Sequence, residues 1–185
     1  MPPFGGIKPP ASQSLVRLTN SLPRPKMSPM NKRSRTIFLI LSLAVMIFIF
    51  VQSAMPADLS GAESGPLARL LAGFFGAADV PAALDLADLI VRKIAHFLEY
   101  LALGLCLRMA FGGRAADRPR LNAAFPAWLI GAAYAVTDEI HQIFVPGRSG
   151  QVKDVLLDAA GVLAGVLIAA AILKRAGAAG ARSRH

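Results

Sequence analysis

The chain has 185 residues, 55% hydrophobic and only 17% charged, too apolar for an ordinary soluble domain and suited to an all-helical bundle in lipid. Its net charge of +9 is unevenly spread, since the first 57 residues carry seven basic groups and no acidic one, which argues against a uniformly basic nucleic-acid binder. A single cysteine, Cys106, excludes an intramolecular disulfide framework and a cysteine-based zinc site.

Residues 1–29 hold seven of the thirteen prolines and show no hydrophobic periodicity. Such a segment buries too little surface to offset its ordering entropy, so a disordered, basic leader is expected over residues 1–35. Met30, followed by Asn31, Lys32, Arg33, Ser34 and Arg35, reads like the start of a membrane protein. The stretch ahead of it is then a tail, or lies upstream of the native start.

Thr36 to Met55 is the first apolar segment, long enough for the roughly 20 residues that a 30 Å hydrocarbon layer requires. A cleavable signal peptide ending near Ser53 and Ala54 is the rival reading, disfavoured by the length of the run and by the spanning segments further along the chain. Met55 to Val91 is mixed, with Asp58, Glu63, Asp79, Asp85 and Asp88. Within it Pro66 to Phe75 forms either a short interfacial helix or a loop packed on the bundle. Three further crossings are predicted at Lys93 to Phe111, Ala123 to Val145 and Val155 to Leu173, each with ionisable residues that a lipid-facing helix avoids. No phosphate loop, dinucleotide fingerprint, zinc-protease motif or internal repeat is present.

Basic residues set the orientation. Lys32, Arg33 and Arg35, then Arg114, Arg118 and Arg120, then Lys174, Arg175, Arg182 and Arg184 belong together on the cytoplasmic side under the positive-inside rule. The expected fold is therefore an all-α, polytopic four-helix transmembrane bundle over residues 36–173, with both termini and a basic tail, residues 174–185, in the cytoplasm.

In this topology the unusual polar groups share one outer layer. Lys93, His96, Glu99 and Tyr100 open the second crossing, Asp138, Glu139, His141 and Gln142 close the third, Arg148 sits in the turn, and Asp154 and Asp158 open the fourth. At about 100° per residue, Tyr134, Asp138, Glu139, His141 and Gln142 take one arc, opposite Val136, Ile140, Ile143 and Phe144. Asp154, Asp158, Gly161 and Gly165 fall nearly in line, as do Lys93, His96, Tyr100 and Gly104, and such glycines allow close helix packing. A charge in mid-bilayer costs roughly 2.5–3.5 kcal/mol, so these groups need partners or water. They either pair, with Arg148 and Lys93 on Asp138, Glu139 or Asp154, or line an outward-facing pocket. His96 and Glu99 can face one ion, with Asp138 or Glu139 completing a shell, but the spacing matches no standard metal motif, and no metal or cofactor is assigned. Arg108 is read as reaching for the cytoplasmic interface, and Trp128 and Cys106 as packing residues.

Lys93, His96, Phe97, Glu99, Tyr100 and Gly104, with Asp138, Glu139, Gln142, the run Phe144-Val145-Pro146-Gly147-Arg148, Asp154, Gly161 and Gly165, resemble the VanZ-like membrane family. Ser53, Pro56 and Ser60 are also similar to the region just after the first span in that family. The resemblance covers residues 36–173 and departs at Asp158, where members often carry Asn. It implies a small four-span protein of the bacterial cytoplasmic membrane, in a family named for a member associated with teicoplanin resistance; it implies no enzymatic activity. The expected partner is a membrane lipid or cell-envelope precursor, with no nucleic acid, and homo-oligomerisation is left open. A membrane-embedded hydrolase or transferase using His96 or His141 with a carboxylate, and a small proton-coupled carrier, are the alternatives.

Overall fold

The computed structural model describes residues 31–112 and 121–182, all the regular structure of which is helical. In chain order the helices are α1 (Lys32–Ser53), α2 (Ala57–Phe74), α3 (Pro81–Phe111), α4 (Leu121–Gln142) and α5 (Val152–Arg182). The leader up to residue 30, and Arg114, Arg118, Arg120 and Arg184, lie outside the described residues.

The Asn31 side chain accepts from the Arg33 N–H at 3.3 Å, so α1 starts at Lys32, inside the stretch read as leader. Most of α1 is outward-facing Ile, Leu, Phe and Val, as expected of a helix bathed in lipid. Its Ser42 hydroxyl is satisfied by the Phe38 carbonyl one turn back, at 2.8 Å. Among the described residues, three helices can cross a membrane by length and composition: α1, α3, and α5 over Val152–Ala176. Helix α4 is not among them, because Asp138, Glu139, His141 and Gln142 crowd its last turns.

The mixed region differs most from expectation. It is a full helix, α2, not a loop or a single short helix, and α3 begins at Pro81, twelve residues before Lys93. Proline at the first position suits a helix start, since its missing N–H has no helical acceptor there. Ala87 packs against Ala68 and Ala72 of α2, with Leu71 and Leu84 alongside. Charges at Asp85, Asp88 and Arg92 mask the first turns of this helix in hydropathy, and Asp88 answers them by pairing with Arg92 at 2.8 Å and accepting from Ser64. Helix α2 ends in a Schellman motif, with Gly76 at φ +68° and hydrogen bonds from Gly76 to Gly73 and from Ala77 to Ala72.

Helix α3 is the hub, touching α1, α2, α4 and, most extensively, α5. The core joins Ile49 of α1, Tyr100, Leu103 and Leu107 of α3, Ala127 and Ala135 of α4, and Val162 and Val166 of α5. The α3–α5 seam is built on absent side chains. A Cβ on Gly104 would strike the Val162 carbonyl, one on Gly165 the Leu101 carbonyl, and one on Gly161 would stand 2.6 Å from the Phe97 carbonyl. Backbone-to-backbone approach of this kind gives helices extensive van der Waals contact where no hydrophobic effect drives them together.

Candidate functional site

The seam that carries the glycines also carries polar residues one or two turns away. His96 lies two turns before Gly104, and Asp158 three residues before Gly161, so close α3–α5 packing brings imidazole and carboxylate together. One donor atom each from His96, Asp138 and Asp158 lies within 4.8 Å of the others. Asp138 and Asp158 are 3% and 1% exposed.

Helix α4 presents its arc as periodicity requires. Asp138, Glu139 and Gln142 are buried, and Val136, Ile140, Ile143 and Phe144 face outward. Asp138 Oδ2 accepts from the Ser53 hydroxyl at 2.9 Å and from Gln142 Nε2 at 3.2 Å, while its Oδ1 is buried without a hydrogen bond among the described residues. Glu139 accepts the Gln151 backbone N–H at 2.8 Å, so its charge sits at the N-terminus of α5, where the helix dipole favours an anion.

The turn between α4 and α5 is held against α2. Pro146 O accepts from Ala57 N at 3.2 Å, and Gly147 adopts φ +74° with its missing Cβ 2.9 Å from Ala57 Cβ. Gly147→Ala is expected to cost about 1–3 kcal/mol, seen as a lower unfolding midpoint in detergent. An unchanged midpoint would mean that the turn is not held in this conformation.

Arg148 donates to the Met55 carbonyl from Nε at 2.9 Å and to the Gln52 carbonyl from Nη2 at 3.1 Å. Burial pulls its guanidinium somewhat below the usual value. The expected pairing of Arg148 with a carboxylate is therefore replaced: the Gln52 and Met55 carbonyls at and just past the C-terminal end of α1, where the dipole is negative, accept a cation as well. Lys93 does pair as one of the expected combinations, with Asp154.

A pocket of about 220 Å³ opens over this cluster. Of the residues singled out in the sequence, Lys93, His96, Glu139, Gln142, Arg148, Asp154 and Asp158 line it, joined by Arg92, Gly147, Gln151 and Lys153. Tyr100 and Asp138 are buried outside that lining, and Glu99 is also absent from it. His141 is elsewhere, its ring 4.7 Å from that of Phe50. Arg108 is a further difference: it is 3% exposed, and its Nε and Nη1 are buried. Trp128 packs as expected, donating to Ala159 O at 3.2 Å.

The VanZ/LLP1 family model matches residues 38–174, a span that contains every residue of the pocket and of the glycine seam. The chain belongs to the VanZ/LLP1 family. No curated protein and no solved structure matches it. Within this VanZ/LLP1 chain, sequence reasoning passed over Arg92, Gln151 and Lys153 and noticed Ser53 only through the family resemblance. Ser53 follows Gln52 at the polar end of an otherwise apolar helix and donates to Asp138, and that position was its signal. Arg92 and Lys153 adjoin the recognised Lys93 and Asp154 and are noticeable only as neighbours of charge.

Proposed function

We propose that this is a four-crossing protein of the bacterial cytoplasmic membrane, both termini in the cytoplasm, whose pocket faces outward and takes the anionic headgroup of a lipid or of a lipid-linked envelope precursor. The observation that carries the reading is the lining of the pocket. Arg92, Lys93, Arg148 and Lys153 gather at its walls, and among the described residues Arg148 makes no ion pair within 4.0 Å. A guanidinium held by carbonyls keeps its full charge for phosphate or carboxylate oxygens, which it binds bidentately. Helix α4 serves as the fourth crossing because its acidic residues turn into the bundle and its lipid-facing arc is apolar. Leu67, Leu70 and Phe74 of α2 stand exposed along one stripe, which suits a helix lying in the interface beside the pocket.

Mass spectrometry of lipids co-purified with the full-length protein tests the reading. Wild type is expected to retain an anionic lipid or precursor that Arg148→Ala loses by at least about tenfold, equivalent to 1.4 kcal/mol, while both insert equally into membranes. Equal retention by the two proteins would refute it. Teicoplanin susceptibility of cells with and without the protein tests the family's link to glycopeptide resistance separately.

A further inference from the structure

We propose that His96, Asp138 and Asp158 hold a divalent transition-metal cation at the inner end of the pocket. The three donors come from α3, α4 and α5, and their ligand atoms lie within 4.8 Å of one another. Modest side-chain rotations bring such a set to the roughly 2.0–2.2 Å that zinc–nitrogen and zinc–oxygen bonds require.

The second observation is the state of the carboxylates. Asp158 is 1% exposed, and neither oxygen has a hydrogen bond among the described residues; Asp138 Oδ1 is equally without one. Buried carboxyls left in this condition are found protonated, paired or on metal ions. The nearby cations are engaged elsewhere, Lys93 on Asp154 and Arg148 on the Gln52 and Met55 carbonyls. Meanwhile Ser53 and Gln142 hold Asp138 Oδ2, and Oδ1 makes no hydrogen bond among the described residues, the buried Tyr100 hydroxyl beside Asp138 being likewise unpartnered. This is the arrangement in which outer hydrogen bonds orient a ligating carboxylate. One imidazole nitrogen with two carboxylate oxygens suits Zn²⁺ or Mn²⁺ better than Mg²⁺ or Ca²⁺, which take oxygen ligands alone. His96 and Asp158 line the pocket, so the remaining coordination positions face it and admit water or a ligand oxygen.

The test uses the full-length protein in detergent, purified through a tag without histidine, stripped with a chelator and titrated with Zn²⁺, Mn²⁺ and Co²⁺ alone. About one tightly held ion per chain is expected for at least one of these metals. The Co²⁺ form should show visible absorption bands of a mixed nitrogen and oxygen site. Asp158→Asn, nearly isosteric, and His96→Gln should each weaken binding by at least about 100-fold, and Gln142→Leu by about tenfold. Asp85→Asn, an exposed carboxylate on the first turns of α3, should bind as wild type. No metal bound by wild type would overturn the proposal and leave the carboxylates sharing a proton; full binding by Asp158→Asn would overturn it as well. The wild-type titration decides even if a variant fails to fold. The proposal stands apart from the headgroup reading, since metal content reports on Asp158 and lipid retention on Arg148.

Discussion

Gly165→Leu is expected to destabilise the protein by at least about 3 kcal/mol, the upper range for overpacking a well-filled contact. The atom that the new Cβ meets is the Leu101 carbonyl, with the Leu105 backbone nitrogen 2.7 Å away. A flexible side chain would swing aside, but here helix backbone must move. Separating α3 from α5 also opens the most extensive helix contact in the fold and pulls His96 away from Asp158. The midpoint of thermal unfolding in detergent reads the effect. Gly61→Ala is the matched comparison: nothing lies within 4 Å of a Cβ there, so replacing an unpacked helical glycine should stabilise by up to about 1 kcal/mol. If both variants melted alike, the α3–α5 contact would not be as close as described.

Glu139→Leu should cost about 1–4 kcal/mol, and Glu139→Gln up to about 1 kcal/mol. The leucine leaves the Gln151 N–H without its acceptor and removes a buried anion from the start of α5; an unmet buried donor is worth roughly 1–3 kcal/mol and the dipole interaction up to about 1 more. Glutamine keeps a carbonyl oxygen for the same bond and loses the charge alone. Unfolding midpoints for the two variants give the ratio directly. A Gln variant as damaged as the Leu variant would show that the negative charge matters more than the hydrogen bond.

Much of this arrangement was legible in the sequence because helical periodicity carries over from water to lipid. The arc Tyr134, Asp138, Glu139, His141 and Gln142 and the row Asp154, Asp158, Gly161 and Gly165 are set by residue spacing alone; all are buried except Tyr134, His141 and Asp154, which are half-buried. What was not legible depends on contacts distant in the chain. The choice of Gln52 and Met55 carbonyls by Arg148 over any carboxylate cannot be read from side-chain charge, because the acceptors are backbone atoms of a helix end. The meeting of His96 with Asp158, where spacing had suggested Glu99, is decided by which glycines of α3 and α5 face each other. Helix α2 and the early start of α3 were hidden for another reason: their amphipathic faces satisfy each other, so neither has the uniform apolarity by which crossings are recognised.

The bonds from Ser53 to Asp138 and from Arg148 to Gln52 join positions 85 and 96 residues apart. During translation the first helix therefore enters the bilayer long before its polar partners have been synthesised. Nascent chains ending within α4 would carry Asp138 with no Asp158 and no Arg148 nearby.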